Sequence, residues 1–258
     1  MVLNFRGNHL YRNLGNRKFD DKTDVAGVRE SGWGWGSFFF DFDNDGDLDI
    51  LNGNGLDDPE TTDDDWAAKQ KVRLYVNQGI ENEFKMKDEA QSRGIADEGE
   101  NRGIMTFDYD MDGDLDVLII NHGESPKLYR NDGGNYYDFV RVQALEGCGR
   151  PSIGAKVEVR VSNDSHVIIK EIGNSAAYLS QSESVAHIGL GTVDLQTVYE
   201  IVVTWPPRWQ NEDVSVARFR NVPVRQTLVT QRGGFGVYNV TIDSSTIADN
   251  KCVFGRPM

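Results

Sequence analysis

The hexapeptide LYRNLG at residues 10–15 returns as LYVNQG at 74–79 and as LYRNDG at 128–133. Two acidic loops lie between the copies, DFDNDGDLDI at 41–50 and DYDMDGDLDV at 108–117. The match continues upstream, where a glycine stands at the same offset (Gly36, Gly103) and a phenylalanine directly precedes each loop (Phe40, Phe107). Self-similarity of this kind implies one supersecondary unit per copy, each covering its apolar face only against a neighbouring copy.

The segments flanking the loops, 37–40 and 115–120, are short apolar or aromatic runs bounded by Gly, Asn and Asp, the signature of strands, and helical periodicity is weak throughout. The copies differ after the loop: 34 residues separate Asp41 from Tyr75, and 21 separate Asp108 from Tyr129. The extra length falls in GLDDPETTDDDW at 55–66, a polar, proline-containing surface loop. From about residue 136 the texture changes to alternation in DFVRVQAL, AKVEVRVS, HVIIKEI and YEIVVTW, which describes a half-buried antiparallel β-domain, a sandwich or barrel, running to about Arg232. The last stretch carries one strand-like piece around 237–242. The expected layout is all-β: a repeat region over 1–133, a β-domain over 134–232 and a tail over 233–258.

Lys and Arg number 27 against 41 Asp and Glu, a formal charge of −14, which points away from nucleic acid and anionic membranes and toward cations. No run approaches the ~20 apolar residues of a membrane span, and the N-terminal MVLNFRGNHLYRN lacks the apolar core of a secretory signal. Cys148 and Cys252 permit one disulfide at most and show no CxxC spacing.

Converging carboxylates repel one another unless a cation lies between them. In the first loop Asp41, Asp43 and Asp45 alternate, Gly46 permits a sharp reversal, Asp47 offers its carbonyl and Asp49 closes the set. In the second loop the same parts are Asp108, Asp110, Asp112, Gly113, Asp114 and Asp116. Oxygen-only donors in a flexible loop suit calcium better than magnesium, so two Ca2+ sites are expected. The loops begin like an EF-hand, but its twelfth-position Glu is replaced here by Asn52 or Ile119, and the flanks are strands.

The pairing of LYRN-x-G with D-x-D-x-DGD-x-D resembles the FG-GAP or VCBS repeats of integrin-like β-propellers. The later motifs, RPSIGAKVEVRV at 150–161, SAAYLSQSE at 175–183, HIGLG at 187–191 and VVTWP at 202–206, are similar to the ASPIC/UnbV domain that follows such repeats in the cartilage acidic protein 1 family. Two positions depart from that pattern, Ile188 in place of an aromatic residue and Pro207-Arg208 after Pro206. The resemblance implies calcium between blade strands, about two blades of a seven-bladed propeller, and an extracellular or cell-surface setting. It also implies that the chain is a fragment, a split-gene product or one part of an assembly.

For catalysis the sequence offers little. His9, His122, His166 and His187 lie in unrelated contexts, and no GxSxG elbow or phosphate loop is present. Trp33 and Trp35 read as blade core rather than a sugar-stacking platform, and Trp205 as packing beneath a strand. Ser180 and Gln181 sit in a motif without an assignable reaction. The leading expectation is a non-catalytic, calcium-stabilised binding or scaffolding protein whose partner is another protein chain or a glycan. The alternatives are an accessory protein or enzyme of secondary metabolism or polysaccharide processing, and a subunit assembling through open blade edges.

Overall fold

A computed structural model describes residues 7–55, 70–209, 213–232 and 238–239. These residues are almost entirely β, in several mostly antiparallel sheets with no closed barrel. The all-β expectation therefore holds. The 55–66 acidic loop beyond Gly55, and the pairing of Cys148 with Cys252, lie outside the described residues and side chains. Two compact units form, Met1–Tyr136 with Ser175–Glu183, and Tyr137–Asn174 with Ser184–Met258.

In the first unit β1 (Tyr11–Gly15) and β2 (Lys18–Asp21) make a hairpin followed by a one-turn helix, α1 (Thr23–Ala26). Next comes a four-stranded antiparallel meander of β3 (Gly34–Phe40), β4 (Asp49–Asn54), β5 (Arg73–Asn77) and β6 (Met86–Asp88). A three-stranded sheet follows, β7 (Asn101–Phe107), β8 (Asp116–Asn121) and β9 (Lys127–Tyr129). Each aspartate loop is the connection between the first two strands of its sheet, and each LYxN motif forms a third strand or its equivalent. The register repeats as well: Phe40 faces Asp49 and Phe107 faces Asp116, while Tyr75 faces Ile50 and Tyr129 faces Val117.

The asparagine of LYxNxG has one local task in all three copies. Its Oδ1 accepts the N–H two residues on, at 2.8 Å from Gly15 to Asn13, 3.1 Å from Gly79 to Asn77 and 3.3 Å from Gly133 to Asn131. This Asx turn ends the strand. At Gly15 and Gly79 the turn needs a positive φ, which glycine supplies without a Cβ clash.

The two sheets pack face to face. Phe38, Phe40, Leu51 and Leu74 share a core with Ile104, Val117 and Ile119, and on the opposite face of the meander Ile50 and Tyr75 pack with Leu10, Ala26 and Val28. Each buried Val, Leu, Ile or Phe among them contributes ~1.5–3 kcal/mol by leaving water. The sheets approach so closely that a Cβ on Gly53 would lie 2.5 Å from Ile104 Cδ1.

The second unit begins with β10 (Phe139–Leu145), β11 (Lys156–Arg160) and β12 (Ile168–Glu171). The chain then contributes a small hairpin, β13 (Ala176–Ala177) and β14 (Ser180–Gln181), to the first unit. It continues through β15 (Ala186–Gly189), β16 (Thr197–Trp205), β17 (Ser215–Pro223), β18 (Thr227–Gln231) and β19 (Tyr238–Asn239). Two four-stranded sheets result, ordered β15-β10-β18-β19 and β12-β11-β16-β17, the sandwich alternative rather than the barrel. One pair, β10 with β18, runs parallel. Alternating residues fill the space between, among them Val142, Val157, Val159, Ile201, Val203 and Leu228. Trp205 is buried beneath its strand, its Nε1 donating to Leu145 O at 3.1 Å.

Candidate metal centre

Each aspartate loop draws three carboxylates together. Asp41, Asp43 and Asp49 in one, and Asp108, Asp110 and Asp116 in the other, each offer an oxygen within 4.8 Å of the others in its group. The backbones that achieve this match position for position. Asn44 and Met111 both stand at φ 58°, and Gly46 and Gly113 at 90° and 97°. A Cβ at the latter pair would strain the reversal that turns the carboxylates inward.

The closing aspartates do more than face the group. Asp49 Oδ2 accepts from Phe42 N at 2.7 Å and Oδ1 from Asn77 N at 2.8 Å. Asp116 repeats this with Tyr109 N and Asn131 N, both at 2.9 Å. Each therefore ties its loop to the LYxN strand, while a carboxylate oxygen keeps a second lone pair for a cation. Asp45 and Asp112 fall outside the tight groups; each Oδ1 accepts from the residue two on, Asp47 N at 2.8 Å and Asp114 N at 3.2 Å. Asp47 is half-buried, whereas the Asp114 side chain is buried, its Oδ2 accepting from Asn135 N at 3.2 Å.

The electrostatics describe a site short of positive charge. Burial raises Asp43, and raises Asp49 to about 7 against its two N–H donors, with the Asp43 and Asp45 charges adding to the effect. Burial lifts Asp45 to about 6, and burial with the Asp112 and Asp116 charges lifts Asp114 to about 7. Asp116 is raised by burial against the N–H donors of Tyr109 and Asn131. In the first loop, where Asp41 and Asp49 are buried, a pair of ionised carboxylates at such separations repels by on the order of 3 kcal/mol. Asp43 Oδ1 and Asp114 Oδ1 are buried with no hydrogen-bond partner, which is costly unless a donor or ion meets them. The donors are all hard oxygens, with no imidazole or thiolate, which suits calcium rather than zinc or copper.

Three asparagines that hold the loops were not singled out in the sequence. Asn77 Nδ2 donates to Leu48 O at 3.3 Å, and Asn131 Nδ2 to Leu115 O at 3.4 Å, the same carbonyl in each copy. Asn131 Nδ2 also donates across to Phe42 O of the first loop at 2.9 Å, and Asn44 Nδ2 donates to Gly113 O of the second at 3.0 Å. The loops are thus bonded to each other. The recurring asparagine in LYxNxG was the available signal.

The structure also places the unassigned motif residues. Ser180 Oγ accepts from Ile104 N at 3.2 Å and donates to Ile104 O at 2.6 Å, and Ser182 Oγ accepts from Thr106 N at 3.0 Å. These hydroxyls occupy the outer edge of β7, which would otherwise present unpaired groups. Trp35 departs from the core expectation: it is half-buried, 5.3 Å from Tyr178 and 4.2 Å from the Arg102 guanidinium, with Nε1 donating to Gly55 O. His187 is buried against Phe139 at 5.6 Å, and burial with the Arg141 and Lys170 charges pushes it down to about 3, a packed neutral imidazole.

Residues 1–52 match the FG-GAP-like repeat family, and residues 146–234 match the ASPIC and UnbV family. That pairing is the one the motifs resemble. Cartilage acidic protein 1 of Mus musculus is 36% identical over 113 residues, 42% of this chain and 17% of that protein. The Homo sapiens protein of that name is 36% identical over 113 residues, 42% and 16% respectively, and that of Xenopus tropicalis 34% over 119 residues, 44% and 18%. The chain thus matches less than a fifth of the length of these relatives. Among the described residues, no helix is long and apolar enough to cross a membrane.

Proposed function

We propose that the first unit binds two calcium ions, one in each aspartate loop, and that the metal's role is structural. Asp41, Asp43 and Asp49 supply carboxylates in the first loop, with Asp45 and the Asp47 carbonyl completing the set; Asp108, Asp110, Asp116, Asp112 and Asp114 do so in the second. The observation that carries this reading is the repetition of one acidic geometry on one backbone, 67 residues apart, with a buried unpartnered Asp43 oxygen. A bound cation would remove the repulsion that burial creates, so loop closure and metal binding are coupled.

The domain layout proposed is a repeat region over 1–133, an ASPIC/UnbV domain over 134–232 and a tail over 233–258. The repeat sheets are propeller blades, and the protein is a non-catalytic extracellular binding or scaffolding module that holds another protein chain or a glycan. The support for this is the similarity to cartilage acidic protein 1 and the meander form of β3–β6.

Calorimetric titration of chelator-treated protein tests the metal reading. Two equivalents of calcium are expected, falling to one in Asp43→Asn and to one in Asp110→Asn. A wild-type chain that takes up no calcium at millimolar concentration refutes it.

A further inference from the structure

The two aspartate loops exchange side-chain amides. Asn44, between Asp43 and Asp45, donates its Nδ2 to the carbonyl of Gly113 at 3.0 Å, between Asp112 and Asp114 of the second loop. Asn131 donates its Nδ2 to the carbonyl of Phe42 at 2.9 Å, between Asp41 and Asp43 of the first. Each loop therefore has a backbone carbonyl, flanked by its own carboxylates, held by a group that the other loop positions. Asn131 is tied to the second site by its own N–H, which donates to Asp116 Oδ1 at 2.9 Å, and Phe42 to the first by its N–H to Asp49 Oδ2 at 2.7 Å.

The repeat supplies an internal comparison. Met111 stands at the position of Asn44 with the same φ of 58°, yet is 63% exposed where Asn44 is 1% exposed. The turn alone does not call for an amide there; the bond to Gly113 does. Asn77, the counterpart of Asn131, makes the same Asx turn but bonds Leu48 O of its own copy. The loops also approach closely: a Cβ on Gly134 would meet Asn131 Nδ2 at 2.5 Å, Phe42 O at 2.6 Å and Asp114 Cβ at 2.8 Å. Phe42, Asn44 and Gly113 are buried, so parting the loops would leave their polar groups without partners away from water.

We propose that the two calcium sites are positively coupled through Asn44 and Asn131, so that calcium in either loop raises the affinity of the other. This rests on the calcium reading above. Without metal each set of carboxylates repels itself and its loop opens, taking with it one partner of both inter-loop bonds. A cation that closes one loop presents those partners to the other. The coupling is reciprocal by linkage, and a factor of about ten lies within the ordinary range for two sites. Charge alone gives the opposite sign, because calcium in one loop weakens the negative field that draws calcium to the other.

Calorimetric titration of the chelator-treated full chain measures the factor. It is the product of the two association constants of the wild type, divided by the product of those of Asp43→Asn and Asp110→Asn, which each keep one loop. About tenfold is expected. The carboxylate lost in each variant adds a through-space share, so the asparagines decide. Asn44→Gly accepts the same φ without an amide, and Asn131→Ser keeps a turn-forming hydroxyl without the reach to Phe42. Each, made in all three backgrounds, should lower the factor several-fold, and Asn77→Ser should leave it unchanged, with circular dichroism reporting the fold. A factor at or below one, or one that Asn44→Gly and Asn131→Ser leave as it is, overturns the coupling, while two bound calcium ions still uphold the sites. A wild type that binds no calcium overturns both.

Discussion

Replacing Asn131 by alanine should weaken both aspartate loops, whereas replacing Asn77, its repeat counterpart, should weaken one. Asn131 donates to Phe42 O at 2.9 Å and Leu115 O at 3.4 Å, and accepts from Gly133 N at 3.3 Å and Gly134 N at 3.2 Å. Phe42 and Gly134 are buried, so truncation leaves a carbonyl and an N–H without partners, at ~1–3 kcal/mol each before relaxation. A total loss of about 2–4 kcal/mol follows, against about 1 kcal/mol for Asn77→Ala, whose bonds to Leu48 O and Gly79 N are nearer solvent. Calorimetric melting should register falls of roughly 5–12 °C and 2–4 °C in the first unit's transition. The sharper readout is calcium affinity of the first loop, measured in an Asp110→Asn background that silences the second. Asn131→Ala should lower it several-fold through the lost Phe42 contact. First-loop affinity unchanged in that double variant, with the protein folded, would refute the reasoning, since Phe42 O would then not need its donor.

Gly134→Ala should act in the same place by overpacking, because a Cβ there would meet Phe42 O at 2.6 Å and Asp114 Cβ at 2.8 Å; a loss of about 1–3 kcal/mol in denaturant unfolding is expected. In the second unit, burial holds His187 at about 3, below its unfolded value near 6.5. The unfolded chain takes up that proton first, so stability should be full above about pH 6.5 and fall toward pH 3 by on the order of a few kcal/mol. Melts of His187→Gln followed by Trp205 fluorescence should lose much of that slope. Asp97 behaves oppositely to the loop acids: burial raises it, but Lys127, Tyr129, the Gly99 N–H and Asn121 outweigh burial and hold it at about 2. Its contribution is present above the unfolded value near 3.9 and is lost as pH falls through 2, so Asp97→Asn should cost about 2–3 kcal/mol at pH 7 and little at pH 2 in urea titrations.

The repeat was legible because it is local in register: a loop, a strand and an Asx turn recur with their aspartates, glycines and asparagines at fixed spacing, and each has a backbone reason to be there. Gly46 and Gly113 serve one φ, and Asp49 and Asp116 serve one pair of N–H donors. What the sequence did not disclose is non-local. Asn44 reaches Gly113 across 69 residues and Ser180 reaches Ile104 across 76, and neither partner carries any mark of the other in spacing or composition. The same limit explains Trp35, read as core because it precedes a strand, yet held half-open by Tyr178 from a hairpin 143 positions later. It also explains why Ser175–Glu183, adjacent in sequence to second-unit strands, is spent on the edge of β7. Side-chain hydroxyls there do the work of a missing strand, and the pattern that predicts strands is blind to them. Function follows the same division. The aspartates carry the proposed cation site in their own chemistry, whereas the bonds through Asn131 and Asn44 that make two loops one structure appear only once the sheets are face to face.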